Sequence, residues 1–152
     1  MKSKHVIGVA VLAASISSCA TVQYGARDVE GDLRKLQPVP GKVSLYVCRE
    51  NAAFVGAGNR TTVVVDNVAL GTLKPNNFAH TVVEPGSHDI YIDYHPGGKS
   101  GVLAIRAQAN EVPIVWAGVT GHGWGVLTVD EFQDRAEAER CVQGAKYVVP
   151  TD

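Results

Sequence analysis

The segment KVSLYVCRE, residues 42–50, alternates apolar and other side chains with the period of a β-strand. In a strand, successive side chains point to opposite faces. The two faces therefore carry Val43, Leu45 and Val47 on one side, and Ser44, Tyr46 and Cys48 on the other. We expect the aliphatic face to lie on the core of a protein built mainly from β-strands.

Further strands are predicted along the chain, separated by short turns. TTVVVDNVALGTL, residues 61–73, predicts a hairpin that reverses at Asp66-Asn67, two residues that tolerate the positive φ of the favoured turns. FAHTVVEPGSHDIYIDY, residues 78–94, predicts a second hairpin that reverses at Pro85-Gly86. Other strands are expected near residues 102–106, 112–119, 126–129 and 146–149.

One helix is predicted near the C-terminus. Thr128 and Glu131 have the spacing of a capping box, and DEFQDRAEAERCVQ, residues 130–143, is rich in helix formers. Gly144 is a suitable terminator. The fold class expected for residues 41–152 is therefore mainly β: an antiparallel β-sandwich of about seven strands with one short C-terminal helix.

Cys48 and Cys141 are candidates for a disulfide. Because Cys48 is predicted to face away from the core, a helix over the outer face of the first strand would bring the two thiols together and cover Tyr46. An oxidising compartment permits the bond. Two buried free thiols are the alternative that the sequence leaves open.

The first 18 residues predict a signal peptide. Two lysines precede VIGVAVLAASI, residues 6–16, an apolar run too short to span a bilayer. The following ISSC, residues 16–19, resembles the lipobox of bacterial lipoproteins, which implies that Cys19 is acylated and becomes the N-terminus. Ala20 in place of an aspartate implies the outer membrane, with the domain facing the periplasm. Cleavage at Ala20, which would release a soluble periplasmic protein, is the alternative.

Residues 19–40 are expected to be the lipidated N-terminus and a flexible tether. The stretch 20–40 is polar, lacks an apolar period and ends in two prolines. A coil of this length spans about 25 Å between its ends. A short helix around residues 28–36 is the alternative.

The charge of the chain excludes two kinds of electrostatic partner. Without residues 1–18, which contain two lysines and no acidic residue, the 14 basic and 15 acidic side chains become 12 and 15, a formal charge of −3. This value is too small to indicate binding to nucleic acid or electrostatic attraction to an anionic membrane.

A metal or small-ligand site is a second hypothesis. If residues whose numbers sum to 171 face each other in the second hairpin, His80 faces Tyr91 and lies diagonal to Asp89 and Asp93. Histidine with carboxylates can bind a divalent metal or transfer a proton. A solvated outer sheet face is the simpler interpretation, so no metal and no cofactor other than the covalent lipid is predicted.

Two glycine-rich loops do not predict catalysis. HPGGKSG, residues 95–101, ends like a phosphate-binding loop, but position 93, where that motif needs a glycine, is Asp93. GHGWG, residues 121–125, contains His122 and no serine or cysteine nucleophile. We expect no enzymatic activity; a deep pocket that holds His122 or His88 beside an ionisable partner would change that expectation.

Three stretches in order resemble a family of small bacterial envelope lipoproteins that is known only as a domain of unknown function. They are VSLYVCRE, VVVDNVALGTL and VEPGSHDIYI, and the last two also resemble the PEGA domain pattern. The matching positions are Tyr46, Arg49, Asp66, Gly71, Pro85, Gly86 and His88. The resemblance, over about residues 42–130, implies a transthyretin-like or carboxypeptidase-regulatory-like β-sandwich and no catalytic site.

The function expected from these features is that of a non-enzymatic, periplasm-facing envelope lipoprotein, attached to the membrane through its lipid. It would bind or brace an envelope protein or the cell wall. Its exposed edge strands could accept a partner strand. The alternative is a carrier module that uses the face of His80, Asp89 and Asp93.

Overall fold

The computed structural model describes residues 22–51, 61–94, 97–120 and 126–150. These residues form ten strands and two helices: β1 Gln23–Tyr24, α1 Arg27–Leu33, β2 Val43–Arg49, β3 Thr61–Val65, β4 Val68–Leu73, β5 Asn77–Val83, β6 Gly86–Asp93, β7 Leu103–Ala107, β8 Ile114–Thr120, β9 Val126–Glu131, α2 Arg135–Gly144 and β10 Lys146–Val149. The mainly β class is confirmed, with more strands than the expected seven.

The strands form two sheets. One has six strands in the order β1-β10-β5-β2-β8-β9, and the other has four in the order β4-β3-β6-β7. The larger sheet is mixed, contrary to the all-antiparallel prediction, because β2 runs parallel to β8 and β5 runs parallel to β10. Between β2 and β8 the chain passes through β3 and β4 of the smaller sheet, returns antiparallel to β2 as β5, and passes through β6 and β7 of the smaller sheet before β8 runs in the direction of β2.

The main core contains side chains of both sheets. Val43, Leu45 and Val47 of β2 pack in one cluster with β3 and β6 residues such as Val63 and Ile92. The predicted core face of the first strand is therefore confirmed. The opposite face of β2 is also buried, because α2 lies over it.

The first predicted hairpin is confirmed. β3 and β4 pair antiparallel on either side of Asp66 and Asn67, which have φ values of 48° and 66°. The register shifts between Val63 and Val64. A bulge at this position increases the local twist of the pair.

The second predicted hairpin is wrong. β5 pairs with β2 and β10, whereas β6 pairs with β3 and β7, so Pro85-Gly86 carries the chain from one sheet to the other. The apolar pattern is the same in both arrangements, because Ala79 of β5 and Ile92 of β6 face the shared core in either one. Strand periodicity alone does not distinguish a hairpin from this crossover.

The expected tether is replaced by folded structure over part of its length. β1 pairs with β10, and α1 follows it. Glu30 accepts a hydrogen bond from the Tyr147 backbone at 2.8 Å, and Tyr46 Oη donates to the Leu33 carbonyl at 3.0 Å. Long-range contacts therefore hold a segment whose local sequence lacks an apolar period.

The C-terminal helix begins later than predicted. Its N-cap is Asp134, whose side chain accepts from the Ala136 N–H at 3.0 Å, and not Thr128. Thr128 is instead paired with Gly118 of β8, so the sheet extends through Glu131. The predicted end at Gly144 and the strand after it are confirmed. Within the described residues, no helix has the length and apolar character needed to cross a membrane.

Candidate functional site

The two cysteines meet beneath α2. The Sγ atoms of Cys48 and Cys141 lie 2.07 Å apart, which is bonding distance, and their Cα atoms are 6.2 Å apart. Tyr46 and Cys48 share a second hydrophobic cluster with Ala138 and Val142 of the helix. The pairing and the burial of Tyr46 are as the sequence predicted, and the pair fixes α2 to the centre of the larger sheet.

His80 lies on this outer face and is not arranged for metal binding. Its ring packs against the Tyr46 ring at a tilt of 46° with a centroid distance of 4.6 Å, and a hydrogen bond joins its Nε2 to Ser44 Oγ at 2.9 Å. Burial lowers the pKa of His80 to about 4. The ring is therefore neutral near pH 7 and belongs to the packing of the sheet.

The hypothetical metal face is not assembled. His80 is in β5 and pairs with Tyr46, whereas Asp89 and Asp93 are in β6 of the other sheet, opposite Ala104 and Thr62. Within the described part of the chain, no three histidine, cysteine or acidic side chains are grouped as metal ligands. Cys19, His95 and the 121–125 loop with His122 lie outside the described residues. In the 95–101 loop, the Lys99 backbone forms an isolated antiparallel β-bridge with the Asp93 backbone, and the Lys99 ammonium lies over the Tyr91 ring.

Asp66 and His88 are joined in a network of three hydrogen bonds. His88 Nδ1 lies 2.6 Å from Asp66 Oδ2, and Nε2 lies 2.8 Å from the Glu84 carbonyl. Asp66 Oδ1 also accepts from the Asp89 backbone at 3.0 Å. Because both ring nitrogens face acceptors, the doubly protonated ring satisfies both contacts. The network ties the β3–β4 turn to the crossover before β6.

The charges of Asp66 and His88 stabilise each other. Burial of the His88 ring opposes its charge, but the hydrogen bonds to Asp66 and Glu84 and the Asp66 carboxylate outweigh it and raise the pKa of His88 above 6.5. Burial opposes the charge of Asp66 as well, yet the His88 and Asp89 hydrogen bonds and the histidine charge hold its pKa below 3.8. The pair is thus an ion pair between about pH 4 and 6.5.

Replacing Asp66 by asparagine should destabilise the protein in a pH-dependent way. Asparagine keeps the turn conformation but removes the charge, and we expect a loss of about 1 kcal/mol near pH 5.5, since Asp66 is partly exposed and screened. The contribution of His88 to the free energy of unfolding is complete below the pKa that His88 has in the unfolded chain, and it is lost as the pH rises through the higher pKa of the folded state. The contribution of Asp66 is lost as the pH falls through the lower pKa that Asp66 has in the folded state. Urea unfolding of both proteins from pH 4 to 9 measures the difference.

The matched control is Asp32→Asn, since the Asp32–Lys35 pair on α1 is highly exposed. This control should change the free energy of unfolding by only a few tenths of a kcal/mol. An equal loss for Asp66→Asn at pH 5.5 and at pH 8.5 would contradict the assigned ion pair.

The remaining residues of the family resemblance have structural positions. Arg49 is buried and donates to the Leu73 carbonyl at 3.0 Å, and burial lowers its pKa. Gly71 has φ 139°, and a Cβ there would come within 2.9 Å of the Val149 carbonyl oxygen. Pro85 and Gly86 form the crossover, where Gly86 has φ 153°. These residues maintain turns and close strand approaches.

The outer side of β9 is a free edge of the larger sheet among the described residues. The Tyr46 N–H of β2 donates to the Pro113 carbonyl, just before β8. Backbone groups alternate in direction along a strand, so every second residue of β8 directs its N–H and C=O groups toward β2, and the residues between them direct theirs toward β9. The pairs Trp116–Asp130 and Gly118–Thr128 then carry the β8–β9 hydrogen bonds. It follows that the backbone N–H and C=O groups of three β9 residues point away from the sheet: Leu127, Val129 and Glu131.

Among the described residues, two of these six outward backbone groups have a side-chain partner. Asp130 Oδ1 accepts from the Glu131 N–H at 2.8 Å, and the Thr128 hydroxyl contacts the Val129 carbonyl at 3.4 Å. β9 ends the larger sheet, and no described strand pairs with its outer side. Unpaired backbone groups of this kind can pair with another chain.

A cleft of about 210 Å³ lies at the C-terminal end of the β9 edge. It is bounded by β7, the start of β8 and the end of β9, and its lining is Ile105, Arg106, Ala107, Glu111, Pro113, Ile114, Val115, Glu131 and Phe132. Six of these residues are apolar, and Arg106, Glu111 and Glu131 are charged. A second cleft of about 390 Å³ lies beside Cys141 and is polar, but it does not adjoin a free strand edge. No local pattern predicted either cleft, because each is formed by segments distant along the chain.

Comparison with known proteins adds little about function. No protein family model matches the chain. An uncharacterized protein from Haemophilus influenzae is 28% identical over 86 residues, which are 56% of this chain and 48% of that protein. The chain thus spans about half the length of the curated relative it matches.

Proposed function

We propose that this protein is a non-enzymatic lipoprotein of the bacterial cell envelope that binds an extended segment of a partner along β9. Cys19 would carry the lipid in the outer membrane, and the domain would face the periplasm. The observation that carries the binding role is the row of outward backbone groups at Leu127, Val129 and Glu131 beside a cleft lined by both apolar and charged side chains.

The proposed location has two independent supports. The ISSC stretch resembles a lipobox, and the pair Cys48–Cys141 lies at bonding distance. Disulfides persist in oxidising compartments such as the periplasm and are rare in the cytosol. The proposed family fold, a PEGA-like β-sandwich, is supported by the core that the two sheets share and by the Asp66–His88 link between two motif positions.

A peptide strand added to β9 would use main-chain hydrogen bonds for affinity and the cleft for side-chain selection. Alternate side chains of such a strand would reach toward Ile105 and Phe132.

Position-specific crosslinking in intact cells tests the binding surface. A photoreactive amino acid at Asp130, exposed on β9, is expected to capture one partner, whereas the same amino acid at Val68, exposed on β4, should not. Equal capture at both positions would overturn the assignment to β9.

Glu131→Pro is expected to weaken partner binding about fivefold to tenfold. Proline removes the outward N–H of residue 131, and loss of one such hydrogen bond costs roughly 1 kcal/mol or slightly more. The β8–β9 ladder is unaffected because that N–H points away from β8 and, among the described residues, bonds to the Asp130 side chain, which a partner strand would replace. Glu131→Gln, which keeps the N–H, is the matched control in titration of the purified partner; equal affinities of the two variants would refute strand addition at this residue.

A further inference from the structure

The folded domain begins very close to the proposed lipid attachment site. Val22 is 8% exposed and belongs to the main core. Gln23 pairs with Val149 of β10, and the Gly25 N–H donates to the Tyr147 carbonyl at 3.1 Å. From residue 22 onward, the position of the chain is therefore fixed by the sheet.

Covalent geometry limits how far the domain can stand from the lipid. Cys19 and Val22 are three residues apart, and consecutive Cα atoms are 3.80 Å apart, so their Cα atoms are separated by at most about 11 Å. This distance is less than half of the approximately 25 Å expected for a tether through residue 40. An acylated Cys19 would thus hold the β1 edge beside the leaflet.

The exposed side chains at this edge suit a membrane interface. Tyr24 of β1 is 50% exposed, and Lys146 Nζ lies 5.7 Å from the centre of its ring. Tyrosine has an apolar ring with a polar end, and lysine extends an apolar stem beneath its charge, so both are accommodated at the level of lipid headgroups.

The opposite edge of the same sheet is far from this point. β9 is five strands away from β1, and strands are spaced by about 4.8 Å, which places the two edges about 24 Å apart. We propose that the β1 edge, with Tyr24 and Lys146, lies against the phospholipid leaflet and leaves β9 directed away from it. This inference rests on the proposed acylation of Cys19.

Quenching by lipid-borne nitroxides tests this orientation. The protein is purified from membranes, its acyl mass is confirmed, and it is placed in phosphatidylethanolamine–phosphatidylglycerol vesicles that contain doxyl-labelled lipid. Gln23→Trp on β1 and Asp130→Trp on β9 are compared, both at exposed positions, after subtracting the quenching of the two native tryptophans. We expect several-fold stronger quenching for Gln23→Trp.

A spacer variant provides the matched control. Ten glycine and serine residues inserted between Cys19 and Val22 extend the average reach to about 20 Å and should reduce the quenching of Gln23→Trp toward that of Asp130→Trp. Acylated protein with equal quenching at both positions would overturn the leaflet-facing edge alone. Absence of acyl mass on Cys19 would overturn the proposed anchor, and the membrane surface with it.

Discussion

Replacing Cys48 and Cys141 together by alanine is expected to lower the free energy of unfolding by about 4–5 kcal/mol. The two residues are 93 positions apart, so the bond closes a long loop, and in the chain-entropy model the stabilisation grows with loop length. For a domain of this size the midpoint of thermal unfolding should fall by on the order of 15 °C. Thermal and urea unfolding of the double variant and the wild type measure both quantities.

The position of the disulfide predicts which part of the protein loses most stability in the double variant. α2 has ten residues, and only Ala138 and Val142 are fully buried, so its attachment to β2 depends strongly on Cys141. An isolated helix of this length is marginal in water. Amide exchange in α2 should therefore accelerate more than exchange in β2 or β3.

Reduction of the wild type is the control for this prediction. Wild-type protein in reductant should have the same free energy of unfolding as the double variant. Both lack the disulfide, and the side-chain volumes at the two sites differ only slightly. An unfolding midpoint that reductant leaves unchanged would contradict a stabilising bond between these residues.

The sequence predicted the faces of strands better than it predicted their partners. Val43, Leu45 and Val47 face the core as their period required, and Asp66-Asn67 makes the expected turn. Neighbouring residues determine both of these features. Pairing of β5 with β2 involves residues 28 to 40 positions apart, and the apolar pattern through Pro85-Gly86 is the same for a hairpin and for a crossover.

The candidate sites were harder to predict because each depends on distant segments. The His80 hypothesis failed with the hairpin register on which it depended. The partnership of Asp66 and His88 joins two motif positions that were identified singly, and nothing local indicated that they touch. The β9 edge follows from the hydrogen-bond alternation along β8, which is set by the parallel partner β2.

Replacing Cys19 by alanine is expected to move the protein from the membrane fraction to the soluble fraction or to leave it as an unprocessed precursor. Each buried methylene of an acyl chain contributes about 0.8 kcal/mol to membrane binding, and more than one chain makes the attachment effectively stable. The folded domain has no described helix that could replace the anchor. Cell fractionation with mass spectrometry of the N-terminus measures the change and separates the two forms of the variant.

The Cys48→Ala, Cys141→Ala double variant is the matched control, since it removes two cysteines that the proposal does not acylate. It should remain with the membrane and carry the same acyl mass as the wild type, although its domain is less stable. A wild-type product that begins at Thr21 without acyl mass would contradict the anchor. In that outcome the β9 surface would still be testable, because its hydrogen-bonding groups do not depend on where the chain is attached.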